Sequence, residues 1–142
     1  MAGTRPITSG VLLVIEDDFA TREYLCDASE RELGIKVLQA ENGRRALEIL
    51  TTEHVDVILC DLNMPVMNGM SFFEKLRSQS VHTPVIFLTG YGEQTSQNKA
   101  LGLGAYDFLP KPFKPEELFI LLKDALTTSF KLQALPQKKN AG

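Results

Sequence analysis

The stretch Val11-Leu-Leu-Val-Ile15, followed at once by Glu16-Asp17-Asp18, decides the fold class of this chain. Five consecutive apolar residues, three of them β-branched, read as a strand buried on both faces, as in a parallel sheet. Asp18 is placed to cap a helix running to about Leu33. Phe19, Tyr24, Leu25, Ala28 and Leu33 fall near helical spacing on it, and Gly34 stands where a helix stops. The alternation then repeats. Residues 35–40 form a second strand, and Asn42-Gly43 opens a helix with Ala46, Leu47, Ile49 and Leu50 on its inner side. Val55-Asp-Val-Ile-Leu-Cys60 is a third strand, and a loop over 61–68 leads at Gly69 into a helix carrying Met70, Phe72, Phe73 and Leu76. Pro84-Val-Ile-Phe-Leu-Thr89 is the fourth strand, 94–103 a weaker helix and Ala105-Tyr-Asp-Phe-Leu109 the fifth strand. The last helix starts at Pro115 with Glu116 and Glu117 in its first turn, and its apolar residues are Leu118, Leu121, Leu122, Ala125 and Leu126. Five β-α units with short connections predict an α/β, doubly wound, five-stranded parallel sheet with five helices on both faces.

The size and charge of the chain agree with one such unit. Its 142 residues suit a single domain of the usual ~100–200. At 44% hydrophobic and 23% charged it is an ordinary globular composition, outside the disordered and disulfide-scaffold classes. Of 15 Lys and Arg against 18 Asp and Glu, Lys131, Lys138 and Lys139 lie in 130–142, a stretch with no acid. Residues 1–129 therefore hold 12 basic and 18 acidic groups, which argues against a direct nucleic-acid face. Cys26 and Cys60 sit in apolar segments and read as buried reduced thiols. No apolar run approaches the ~18 residues of a membrane span, so the expectation is a cytoplasmic protein with no membrane partner. Arg44-Arg45 reads as the solvated side of its helix, and Phe72, Phe73, Phe87 and Phe119 as core.

In open parallel sheets, sites form beyond the carboxyl ends of the strands. Those ends carry Glu16-Asp17-Asp18, Asp61, Thr89-Gly90 and Lys111-Pro112. Carboxylates from two strands, a hydroxyl and an ammonium thus converge on one edge. Clustered carboxylates repel unless a cation offsets them, and oxygen donors without His or Cys suit a hard ion such as Mg²⁺. His54 and His82 have no zinc spacing. Asp18 is kept as a helix cap. A carboxylate held among metal, hydroxyl and ammonium is arranged to attack phosphorus.

These residues resemble the receiver domain of bacterial two-component response regulators, the CheY-like superfamily. The likeness covers about 11–128. It rests on Glu16-Asp17, Asp61-Leu-Asn-Met-Pro-Val-Met-Asn-Gly69, Thr89-Gly90 and Gly104-Ala-Tyr-Asp-Phe-Leu-Pro-Lys-Pro-Phe113. The resemblance implies a flavodoxin-like strand order 2-1-3-4-5, with Asp61 as phosphoacceptor and Mg²⁺ held by Asp17, Asp61, the Asn63 backbone carbonyl and, through water, Glu16. It implies that Lys111 binds the phosphoryl group, that the bond from Lys111 to Pro112 is cis, and that Thr89 and Phe108 form the switch, with room at Gly90 for Phe108 to rotate. It further implies that such a chain catalyses its own phosphorylation and dephosphorylation, and that Asn63 and Tyr91 flank the path of the hydrolytic water. The implied partner is a sensor histidine kinase or phosphotransfer protein, with Phe19 a candidate for its docking face. A downstream protein or output domain, or a phosphorylation-dependent homodimer, would read the switch.

Two rival readings fail, one on a single residue and one on an acidic triplet. A Mg²⁺-dependent aspartyl-phosphate phosphatase needs a general acid two residues after its nucleophile, where Asn63 stands. An FMN carrier needs a phosphate loop after the first strand, where Glu16-Asp17-Asp18 would repel phosphate. The expected organisation is a flexible N-terminal segment over 1–10, a receiver over 11–129 and a flexible basic tail or linker start over 130–142.

Overall fold

The computed structural model describes residues 5–90 and 92–135. After a short 3-10 turn at Ile7–Ser9, strands β1 (Val11–Ile15), β2 (Lys36–Ala40), β3 (Val57–Asp61), β4 (Val85–Thr89) and β5 (Asp107–Pro110) alternate with helices. The helices are α1 (Phe19–Leu33), α2 (Gly43–Leu50), α3 (Gly69–Ser78), α4 (Gln94–Gly102) and α5 (Pro115–Ala134). The strands form one parallel sheet in the order β2-β1-β3-β4-β5, as expected.

Strand periodicity sorts the core into two layers. Leu12, Val14, Val57, Leu59, Ile86 and Leu88 face α1 and α5, meeting Leu25, Leu33, Leu118, Leu122 and Leu126. Leu13, Ile15, Ile58, Cys60, Val85 and Phe87 face α2, α3 and α4, meeting Ala46, Phe72, Phe73, Leu76 and Ala100. Up to Asp61 and Thr89 at the ends of β3 and β4, strands β1, β3 and β4 are therefore apolar without alternation, because each of their faces is covered by helices. Each fully buried side chain of this kind contributes about 1.5–3 kcal/mol.

Local signals set the element ends. Asp18 accepts from the Thr21 N–H at 2.9 Å and starts α1, while Gly34, at φ 65°, ends it in a left-handed conformation that a Cβ would penalise. Asn42 and Asn68 cap α2 and α3 through the N–H groups of Arg45 and Ser71. Phe72, Phe73 and Phe87 are fully buried, and Phe119 packs partly buried against the α1–α5 layer.

Several expectations are corrected. On α1 the inner stripe is Leu25, Cys26, Ser29 and Leu33, whereas Phe19 and Tyr24 are 66% and 49% exposed. Phe19 opens the helix on its outer side, and Tyr24 stands one position off the inward i, i+4 ladder. β5 begins at Asp107, not Ala105, because the Ala105 N–H is taken by the Ala100 carbonyl at the end of α4. α5 runs on through 130–134, where Arg5 donates to Gln133 at 3.0 Å. Phe130 continues the ladder of Leu118, Leu122 and Leu126, is buried, and lies 4.1 Å under the Arg5 guanidinium. Residues 1–4 and 136–142, with Lys138 and Lys139, lie outside the described residues.

A buried carboxylate ties these ends together. Asp56, fully buried, accepts from the Val11 N–H (2.8 Å), Gln133 Nε2 (2.8 Å) and Arg5 (3.5 Å), and meets His54 Nε2 at 2.7 Å. Burial alone would raise its pKa, but the hydrogen bonds from Gln133, His54 and Val11 outweigh this and hold it below the usual carboxylate value. A depressed carboxyl contributes stability above its unfolded pKa of 3.8 and loses it as pH falls through the lower folded value. Asp56→Ala is expected to cost about 3 kcal/mol in urea unfolding at neutral pH, and less at pH 3, because it strands the Val11 N–H and Gln133. A cost equal at both pH values would show that the charge of Asp56 is not what stabilises the fold.

Candidate functional site

The parallel strands deliver their carboxyl ends to one edge, and there Glu16, Asp17, Asp61, Thr89 and Lys111 meet. Carboxylate oxygens of Glu16, Asp17 and Asp61 lie within 4.8 Å of one another. Lys111 Nζ donates to Asp61 Oδ2 at 2.9 Å and to Glu16 Oε1 at 3.5 Å. Glu16 and Asp61 are buried, while Asp17 and Lys111 reach solvent. Three carboxylates against one ammonium leave the cluster net negative, and its all-oxygen donors fit a hard divalent cation.

Backbone hydrogen bonds hold two of the acids. Asp61 Oδ1 accepts from the Asn63 N–H at 3.1 Å and Glu16 Oε2 from the Asp18 N–H at 3.1 Å. Burial, aided by the negative charge of Asp61, pushes the Glu16 carboxyl up to about 7 against the opposing pull of the Asp18 N–H and Lys111. Burial also draws the Lys111 ammonium down, but its hydrogen bond to Asp61 and the charges of Asp61 and Glu16 outweigh that, so its pKa is raised and it stays charged.

Thr89 ends β4 beside this cluster. The Asp61–Leu88 register pair puts it one residue beyond Asp61 on the neighbouring strand, and its carbonyl accepts from the Lys111 N–H at 2.8 Å. Its hydroxyl is buried and has no hydrogen-bond partner among the described residues. Phe108 is half-buried, its ring stacked on Phe87 at 5.9 Å, and Phe87 meets Phe73 edge-on at 5.3 Å. The Lys111–Pro112 peptide is cis. Tyr91 lies outside the described residues.

Two contacts were not evident in the sequence. Glu93 reaches back to accept from the Gly90 N–H, and a Cβ on residue 90 would stand 2.9 Å from its Oε1. The small residue at 90 thus leaves room for the Glu93 carboxylate. The second is the bond from Arg22 to the main chain of Glu16. Glu93 stands three residues from Gly90 and Arg22 six from Glu16, and in sequence both look like ordinary solvated charges.

Gly69 fixes the height of Asp61. Its N–H donates to the Leu62 carbonyl at 2.9 Å, and a Cβ there would collide with the Asp61 carbonyl oxygen and come within 2.9 Å of Leu62 Cα. Gly69→Ala is expected to lower stability by about 1–3 kcal/mol, read from the urea midpoint, since backbone cannot yield as a side-chain tip can. An unchanged midpoint would mean that α3 shifts freely over β3.

Residues 12–123 match the family profile of the response regulator receiver domain. The chain belongs to this family. The receiver is 36% identical over 115 residues to the regulatory protein AtoC of Escherichia coli (strain K12), covering 81% of this chain and 25% of that protein. It is 30% identical over 130 residues to the aerobic respiration control protein ArcA of the same strain, covering 92% and 54%. The chain thus spans a quarter to about half of the length of these relatives. Among solved structures, the receiver domain of the Francisella response regulator 1452 superposes with a TM-score of 0.79 at 31% identity, over 85% of this chain and 99% of that one. No helix among the described residues is long and apolar enough to cross a membrane.

Proposed function

We propose that this receiver takes a phosphoryl group onto Asp61 from a phosphohistidine of a sensor histidine kinase or phosphotransfer protein. The observation that carries the reading is the Lys111 Nζ to Asp61 Oδ2 contact of 2.9 Å inside the Glu16–Asp17–Asp61 cluster. An Asp61 oxygen attacks phosphorus and the P–N bond breaks, its electron pair staying on the imidazole nitrogen; with a proton already on the other ring nitrogen of the phosphohistidine, the products are an acyl phosphate and neutral histidine. Lys111, already charged and bonded to Asp61, moves its donors to the transferring oxygens. When bound through Asp17, Asp61, the Asn63 carbonyl and, by water, Glu16, Mg²⁺ supplies positive charge to the same oxygens.

Thr89 has a free hydroxyl to donate to the new phosphoryl oxygen. Its movement opens space that the Phe108 ring enters, and the α4–β5–α5 surface changes between two states that a downstream protein, an output domain or a second copy reads. The self-catalysed reverse step is hydrolysis of the acyl phosphate. Asn63, with no acid to protonate a leaving group, argues against a dedicated phosphatase.

The test is incubation with acetyl phosphate and Mg²⁺. One alkali-labile phosphoryl group per chain, found by peptide mass analysis on Asp61 and lost with EDTA, is expected. Incorporation on another residue, or none, overturns the reading.

A further inference from the structure

We propose that Arg22 is a positioning residue that holds Asp17 in the cation-binding cluster, acting through the peptide that joins Asp17 to Glu16. The inference rests on the reading of the cluster as a Mg²⁺ site. Of the three acids, Glu16 is held by the Asp18 N–H and Lys111, and Asp61 by the Asn63 N–H and Lys111, whereas Asp17 is bonded to the Glu16 side chain beside it. The Asp17 carboxylate is exposed to solvent, and the side chain it meets is that of its neighbour Glu16, which shares its backbone. Its direction therefore depends on how that shared backbone is held.

That backbone is clamped from one side chain. Arg22 Nη1 donates to the Glu16 carbonyl oxygen at 2.7 Å, while its Nε donates to Gln39 Oε1 on β2 at 3.0 Å. The Glu16 carbonyl belongs to the same planar peptide as the Asp17 N–H, so fixing that oxygen fixes the plane from which Asp17 departs. Glu16 N–H is bonded to the Ala40 carbonyl at 3.1 Å, which holds the other side of the residue. Arg22 is itself seated: its N–H bonds the Asp18 carbonyl at 2.9 Å in the first turn of α1, and its guanidinium lies 5.5 Å from the Phe19 ring. A planar fork can serve the carbonyl and Gln39 together, whereas an ammonium on a flexible stem lacks that fixed geometry. Losing the clamp frees the Glu16–Asp17 peptide to rotate, and Asp17 then spends part of its time turned toward water.

Calorimetric titration of the full chain with Mg²⁺ alone tests this. Arg22→Ala is expected to weaken Mg²⁺ binding about tenfold, in the range for residues that orient metal ligands. Gln39→Ala is expected to weaken it by less, and Arg22→Lys, which keeps the charge, to restore little. The deciding measurement is a double-mutant cycle: in an Asp17→Asn background, Arg22→Ala should weaken Mg²⁺ binding no further. Fully additive losses, wild-type affinity in Arg22→Ala, or full rescue by lysine would each overturn the proposal while leaving the metal site standing. A wild-type chain that binds no Mg²⁺ would overturn the metal reading and this one with it. Gln39→Ala and Arg22→Lys keep the test decisive if Arg22→Ala fails to fold.

Discussion

Asp61→Asn is expected to lose all measurable phosphoryl incorporation from acetyl phosphate, a drop of at least about a thousandfold, while the protein stays folded. The amide oxygen carries no negative charge to attack phosphorus, and the other carboxylate bonded to Lys111, that of Glu16, stands farther from it, at 3.5 Å against 2.9 Å. The fold tolerates the change because an amide oxygen can still accept the Asn63 N–H. It also removes a like charge from Glu16. In the native chain without Mg²⁺, the Glu16 carboxyl is raised from 4.5 to about 7 by burial and then by Asp61. A raised carboxyl means that the folded state holds a proton the unfolded state has lost, so stability falls as pH rises from 4.5 to about 7. Asp61→Asn should lessen that fall, the part due to burial remaining, and leave the variant at least as stable as wild type at neutral pH in urea. A variant that is destabilised and still incorporates phosphate at the wild-type rate would sink both the nucleophile assignment and the electrostatic account of the cluster.

The clarity of the site in the sequence has a physical origin. Sites in doubly wound sheets lie at strand ends, so Glu16, Asp61, Thr89 and Lys111 could be found by locating the apolar runs before them. What stayed hidden was set by contacts between distant segments. Phe130 and Gln133 belong to the domain because Arg5, Gly10 and Asp56 meet them, partners far away in sequence. Asp56 breaks an apolar run and looks like an error in a buried strand until its donors are visible. Phe19 shows the reverse. Its apolar side chain falls near helical spacing, but it opens α1 next to the acidic loop and faces water. Hydrophobic spacing identifies a stripe, whereas the angle of the helix on the sheet decides which residues at its ends are covered.

Lys111→Ala separates the two tasks that the cluster combines, because it should move phosphoryl transfer and cation binding in opposite directions. Lys111 donates to both Asp61 and Glu16, so its ammonium occupies the oxygens that a divalent cation would also use. Without it, three carboxylates face each other with no positive group bonded to them, and Mg²⁺ affinity should rise severalfold. Transfer should nonetheless fall about a hundredfold to a thousandfold, since a charged donor aimed at the transferring oxygens is lost. Lys111 side-chain exposure of 37% limits the stability change, because water screens part of the pair. Calorimetry with Mg²⁺ and a single-turnover assay with acetyl phosphate, run on the same preparation, read the two effects. In Asp61→Asn both quantities drop, as one residue serves ligand and nucleophile. A Lys111→Ala variant whose Mg²⁺ affinity fell with its transfer rate would assign Lys111 a different role, that of drawing Asp61 and Glu16 into a shape the cation can use.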